Sequence, residues 1–344
     1  MMLDDLKAIH ELDKSGALQI ASHSPEQLRH QFEKLPLQTD ILNVVYAAMG
    51  GSALAARIST SWPKYNVPFE IVTDYHMPAY VGHKTLVIAA SYSGNTEETI
   101  SAYHEARQKG AQVVVIASGG KLIELAQADG VPYIVLPTAA QPRFAALYCF
   151  KALIDILESA GLVSAEDMEQ ELAHAADYLE NAIKNWLVDV PTAQNPAKQL
   201  ALDIVGTSPV VYAGAALGPA AYKWKISFNE NAKNIAWVGS YPEFCHNEFI
   251  GWSAAPVEKP YSVIDLRSSF DYERITKRFE IVDRLLSGKR PAAQVVQAEG
   301  DTLLCQLVWT IAFGDFVSLY VGLLNGIDPT PVDLVEKLKA ELVA

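Results

Sequence analysis

Two α/β domains, each a doubly wound parallel sheet with helical connectors and a C-terminal helix, are the fold class this 344-residue chain predicts. Three observations carry that expectation. From Ile41 to Pro137, short Val- and Ile-rich runs alternate with segments of helical period, the pattern of βαβ units covered on both faces. The same alternation recurs more faintly from Ser208. Finally, Asn43-VVYAAMGGSALAA and Pro209-VVYAGAALGPAAY share one order: a strand, a glycine-bearing turn and an alanine-rich helix. The length suits roughly two domains of ~100–200 residues.

Taken in order, the chain opens with polar-faced helices, grouped as an N-terminal segment over 1–36. A first domain over 37–150 then offers the strands ILNVVYAAM, FEIVTDY, TLVIAAS, AQVVVIAS and PYIVLP. Between them lie the helices GGSALAARIS, GNTEETISAYHEARQKG and KLIELAQADG. FAALYCFKALIDILESAGL and AEDMEQELAHAADYLENAIKNWL read as helices, with the connector placed at 151–195. A second domain over 196–300 takes the strand SPVVYAGAAL, a helix through GPAAYKWK, the strand YSVIDL, the charged helix YERITKRFEIVDRLLSG and the strand AAQVVQAE. The remainder, 301–344, is helical and is expected to pack on the active site. There Thr330 is expected to cap a helix with Pro331 at its first position and Asp333 in its first turn, with Val335, Leu338 and Leu342 on one face. Leu303 to Asn325 is long enough to cross a bilayer. It carries Gln306, Thr310, Asp315 and Ser318, so a buried core helix is the reading.

Composition narrows the function classes. Twenty-seven basic residues stand against forty acidic ones, a formal charge of −13. Such a field repels phosphate backbones and anionic lipid surfaces, so neither a nucleic acid nor a membrane is expected as a partner. Cys149, Cys245 and Cys305 are scattered and odd in number, which argues against a disulfide scaffold or a zinc site. The acidic opening MMLDDLKAIHELDKSG has no apolar signal core, and a cytoplasmic protein is expected.

The chemistry-bearing segment is SYSGNTEET, Ser91 to Thr99, directly after the strand TLVIAA. Ser91, Ser93 and Thr96 crowd a strand-to-helix turn, where hydroxyls and free helix N–H groups converge on a spot suited to phosphate. No lysine is present, so the turn is not a P-loop. The bland alternative is a capped helix, with Thr96 as cap and Glu97 and Glu98 complementing the dipole. A second turn, Met49 to Ala53, offers Gly50, Gly51 and Ser52 after the first strand. At the carboxyl ends of strands in one parallel sheet, two such turns can share a crevice.

S-x-S-G-x-T-x-E-T after a strand resembles the sugar isomerase (SIS) domain, a phosphosugar-binding module of flavodoxin-like type. Five further segments resemble the bifunctional phosphoglucose/phosphomannose isomerase family: AMGGSALAA, Asp74 to Pro78, Gln141 to Arg143, ENAK with PEFCHNEFIGW, and GDFVSLYVGLLNGIDPTPVDLVEKLK. The similarity runs over about residues 40–344. One departure is Thr138-Ala139-Ala140 before Gln141, where a glycine is expected in the family.

The resemblance implies an aldose–ketose isomerase that interconverts glucose 6-phosphate, and mannose 6-phosphate, with fructose 6-phosphate through a metal-free cis-enediol. Glu230 would be the proton-transfer base, and His246 would open the sugar ring across a dimer interface. Arg143 would meet the enediolate oxygen, Lys337 would reach the sugar hydroxyls and Thr330 would shape the space around C2. Gly51, Ser52, Ser91, Ser93 and Thr96 would hold the phosphate. A homodimer with shared active sites and a hexose 6-phosphate substrate are the implied partners. The other histidines lack ligand spacing with a carboxylate or cysteine and no GxGxxG turn occurs, so neither metal nor nicotinamide cofactor is expected. Each residue also has a plainer reading. Glu230 would be an exposed helix end, His246 a core histidine, Arg143 a surface ion pair, and Lys337 a partner of Asp333 one turn away. The rival functions are a non-enzymatic phosphosugar-binding module and an aminosugar-phosphate isomerase.

Overall fold

The computed structural model describes residues 2–63, 65–139, 141–163, 168–253 and 260–343. Ala140 of the divergent loop and the start of the AEDMEQEL helix lie outside them. The chain forms two compact units, Ser24–Asp177 and Met1–His23 with Tyr178–Ala344.

In the first unit, β1 (Asn43–Ala47), β2 (Phe69–Val72), β3 (Thr85–Ala90), β4 (Gln112–Ala117) and β5 (Tyr133–Val135) form one parallel sheet in the order β2-β1-β3-β4-β5. Every residue of β3 is buried, as a central parallel strand requires. Val45, Val87, Val113 and Val115 meet Tyr103 and Ala106 of the Glu97–Gln108 helix in the core. The order reverses at β1, which has β2 on one side and β3 on the other. The carboxyl ends of β1 and β3 therefore lie side by side at a topological switch point, where such sheets bind ligands.

The second unit repeats the plan with β6 (Ser208–Ala213), β7 (Trp237–Ser240), β8 (Tyr261–Arg267) and β9 (Ala293–Gln297), in the order β7-β6-β8-β9 and all parallel. The faint internal repeat thus has a structural basis, since β6 and the Gly218–Asn231 helix stand where β1 and its helix stand in the first sheet. Sequence reading misses β7. It is a four-residue edge strand with Trp237 and Val238 exposed, and it lacks a long apolar run. Of the N-terminal segment, Met1–His23 folds into this unit and the rest belongs to the first: the Asp4 carboxylate accepts from the Thr192 N–H and hydroxyl, both at 2.8 Å. The buried Lys198 ammonium donates to the carbonyls of Leu3, Val188 and Val190 at 2.6–2.8 Å.

Leu303–Leu324 is a helix long and apolar enough to cross a membrane, and here it is buried within its unit. The Thr310 hydroxyl donates to the Gln306 carbonyl of the same helix at 2.7 Å, and the other three polar residues meet neighbours. Gln306 bonds Ser268 and Ser269, Ser318 accepts from Asn231, and Asp315 takes both the Lys223 ammonium and the Ser227 hydroxyl. Gly314 is required on steric grounds, because a β-carbon there would sit 2.1 Å from the Trp224 indole. Lys223 is 1% exposed, so Lys223→Met takes the cation from a largely buried pair and leaves the part-buried Asp315 carboxylate with the Ser227 hydroxyl. Chemical denaturation should report a loss of about 3–5 kcal/mol, the usual cost of removing one partner of a buried pair. An unchanged midpoint would show that the pair contributes nothing net.

The last helix begins at Asp333 rather than after a Thr330 cap. The N–H groups of Val335 and Glu336 turn back onto the Val332 carbonyl, while the Thr330 N–H is taken by the Asp328 carboxylate at 3.0 Å. Leu334, Val335, Leu338 and Leu342 are exposed on it.

Candidate active site

The two hydroxyl-bearing turns of the first unit are physically joined. Ser52 lies in a tight 3₁₀ turn, Gly50–Ala53, and its Oγ accepts the Tyr92 N–H at 2.9 Å. One bond thereby links the end of β1 to the end of β3 at the switch point. Ser91 is buried, and its Oγ lies 2.7 Å from Thr96 Oγ1 and accepts the Gly94 N–H at 3.2 Å. Ser93 is exposed at the lip of the turn, and its Oγ accepts the Asn95 N–H. Thr96 occupies the N-cap position of the Glu97–Gln108 helix but makes no side-chain cap bond, because its hydroxyl is engaged with Ser91. The capping alternative therefore does not describe this turn. With no side-chain cap at the helix start, the hydroxyls and helix dipole together suit a phosphate.

The turn is braced from behind. Gly94 has φ +71°, and a β-carbon there would sit 1.8 Å from the Gly119 carbonyl. Ser118 donates its N–H and its hydroxyl to the Tyr92 carbonyl at 2.9 and 2.6 Å. Tyr92 extends the brace by donating its hydroxyl to the Ala139 carbonyl at 2.9 Å while accepting the Ala139 N–H. Sequence reading misses this role, since a tyrosine between two serines carries no signal of what its hydroxyl reaches.

Arg143 arrives at the same place by backbone contact. It sits in the 3₁₀ turn Pro142–Ala145, and a β-carbon on Gly51 would come within 3.0 Å of the Arg143 nitrogen and 3.1 Å of Pro142. Gly51 therefore lets the Met49–Ala53 and Gln141–Arg143 turns touch. Arg143 is 1% exposed, with its guanidinium carbon 4.7 Å from the Phe144 ring centre, so the surface-ion-pair reading fails.

In the second unit, Glu230 is half-buried in the last turn of the Gly218–Asn231 helix. The asparagines beside it do not interrupt that helix. Asn229 Oδ1 accepts the Ala236 N–H at 3.0 Å and Asn231 donates to Ser318 at 2.9 Å, so both side chains bond outward and leave the helical backbone intact. Thr330 is 6% exposed, and its neighbour Pro329 is tied to Glu230 through Lys233, whose ammonium bonds both main-chain carbonyls. Lys337 is exposed on the last helix, where an ion pair joins Lys339 to Glu336 at 2.8 Å.

His246 ends the 3₁₀ turn Glu243–His246 and is exposed, so the core-histidine reading fails. Its loop is held by buried Phe244 against the Tyr212 and Tyr241 rings, by Asn247 donating to Glu243, and by Tyr212 donating to Glu248 at 2.5 Å. Burial, and next the Glu248 carboxylate, push the Tyr212 hydroxyl well above its ordinary pKa, so it remains a donor. The two glutamates are thus struts of the loop.

The mouth of the second sheet is filled differently from that of the first. After β8, the Asp271 carboxylate bonds the Ser268 N–H and the Ala216 N–H, and a β-carbon on Gly214 would strike it at 2.2 Å. A side-chain carboxylate here takes the turn N–H groups that an anion would seek.

Residues 193–342 match the family model described as the bacterial phospho-glucose isomerase C-terminal SIS domain. A bifunctional phosphoglucose/phosphomannose isomerase from Caldicellulosiruptor bescii is 35% identical over 307 residues, 88% of this chain and 90% of that protein. One from Aquifex aeolicus is 30% identical over 92% of this chain and 96% of its own length. Among solved structures, a glucose-6-phosphate isomerase like protein from Thermus thermophilus superposes with TM-score 0.67 at 19% identity, covering 98% of both chains, a likeness of fold.

Proposed function

We propose, for a chain that belongs to the bifunctional phosphoglucose/phosphomannose isomerase family, that it interconverts glucose 6-phosphate and mannose 6-phosphate with fructose 6-phosphate. The chain is an isomerase of SIS fold; the division of roles among its residues is our reading. The observation that supports it most is the likeness to these relatives over nearly the whole of both lengths.

Gly51, Ser52, Ser91, Ser93 and Thr96 hold the phosphate with neutral donors, fixing the sugar's register far from the reacting carbons. His246 gives a proton to the ring oxygen as the C1–O5 bond breaks, and the O1 hydroxyl loses its proton to water to leave the open-chain aldehyde. Glu230 then takes the proton from C2, the electron pair forms the C1–C2 double bond, and charge gathers on the C1 oxygen beside Arg143. The same carboxyl group returns the proton to C1 while the O2 proton is lost and O1 gains one. Lys337 orients the hydroxyls, and Thr330 leaves room for either configuration at C2. The reaction uses no metal and no cofactor, and the enzyme works in the cytoplasm as a homodimer. The dimer is supported by exposed His246 and by the exposed apolar Ile235, Trp237, Val238 and Ile250 of the same unit.

A coupled assay on glucose, mannose and glucosamine 6-phosphates, with and without chelator, tests the reading. Fructose 6-phosphate should form from the first two at rates indifferent to chelator. Turnover of glucosamine 6-phosphate alone would sink the substrate assignment, and loss of activity in chelator would sink the metal-free mechanism.

A further inference from the structure

We infer that Lys233 is a positioning residue, whose ammonium group locks the helix end bearing Glu230 to the turn bearing Thr330. The inference rests on the roles proposed above for those two residues. Lys233 Nζ donates to three main-chain carbonyls at once: Glu230 at 2.9 Å, Asp328 at 3.0 Å and Pro329 at 2.9 Å. An ammonium has three N–H donors, so this geometry spends all of them. The first carbonyl belongs to the residue assigned to proton transfer and the third to the residue before Thr330.

Two features show that the arrangement is specified rather than incidental. Lys233 has φ +49°, a left-handed conformation that side-chain-bearing residues rarely adopt and that glycine or asparagine ordinarily fills after a helix. The exposed side chain also folds back onto three carbonyls rather than extending into water, at a cost in rotamer freedom. In return, a cation sits on carbonyls at a helix C-terminus, where the helix dipole favours it. Neighbouring contacts keep the surroundings rigid, with Asn325 donating to the Ala232 carbonyl at 3.2 Å. Thr330 is in turn set by the Asp328 carboxylate at its N–H. Lys233 therefore controls the spacing of the proton-transfer carboxylate from the wall proposed to face C2.

The test pairs Lys233→Met with Lys233→Gly. Both remove the donors, and glycine also accepts the left-handed backbone, so it remains foldable if methionine is not. For either variant kcat on glucose 6-phosphate should fall about 10–100-fold, the scale of a small misplacement of a reacting group. KM should stay within about threefold, since the phosphate-binding serines are untouched. The glucose-to-mannose turnover ratio should shift by about threefold or more, a change that mere loss of folded protein cannot produce. Equal losses on both sugars that track the folded fraction would overturn the inference. So would wild-type kcat and ratio in a preparation where Glu230→Gln is inactive. If Glu230→Gln itself retains full turnover, the underlying assignment fails instead.

Discussion

Glu230→Gln should lower kcat on glucose 6-phosphate by about 10²–10⁴-fold, the range attributed to a positioned general base, while substrate affinity is retained. Glutamine keeps the shape and hydrogen-bonding reach of the side chain but cannot accept the C2 proton. Glu230 ends an intact helix whose rotation is pinned by Asn231 on Ser318 and by Lys223 and Ser227 on Asp315, so the substitution leaves its frame in place. A phosphosugar sensor would bind as before and had no turnover to lose; an unaltered kcat would remove Glu230 from the mechanism. The same variant examines the dimer. Mixed with an inactive His246→Asn chain, it should regain about a quarter of wild-type activity if each histidine serves its neighbour, because half the dimers are mixed and each has one intact site. No recovery after subunit exchange would keep His246 in its own subunit's site.

Arg143→Met should cost about 10²–10³-fold in kcat, the loss seen when one donor to a developing oxyanion is removed. The methionine is similar in length and apolar, so it suits a site only 1% exposed against Phe144, and the backbone contact with Gly51 survives. Thermal unfolding measures the folded fraction, so that kcat is compared per folded enzyme. A large drop in stability with unchanged kcat in the folded fraction would make Arg143 a core prop and nothing more. Lysine at this place would keep the charge but lose the planar fork.

Much of this was legible in the residues. The alternation of Val-rich runs with helical segments announces both sheets, since buried parallel strands have no polar face to disguise them. The Ser91–Thr96 turn announces itself because hydroxyls and glycine crowd one strand end. What stays hidden is whatever depends on a distant partner. Gly51 is an ordinary turn glycine until Pro142 is seen against it, and Gly94 until the Gly119 carbonyl is. Strand β7 is too short and too exposed to register, and proline at 331 mimics a first-turn signal, which sets the expected start of the last helix too early. That Met1–His23 joins the unit containing the C-terminus follows from contacts such as Asp4 with Thr192, which local pattern cannot reveal.

Asp271 gives the duplication its asymmetry. With its own carboxylate lodged against the Gly214 turn, the second domain answers its backbone donors from within and repels any added anion by like charge. Two copies of one architecture have thereby become unlike tools. On the reading proposed above, the first copy grips the phosphate and the second, relieved of gripping, carries the groups that move protons.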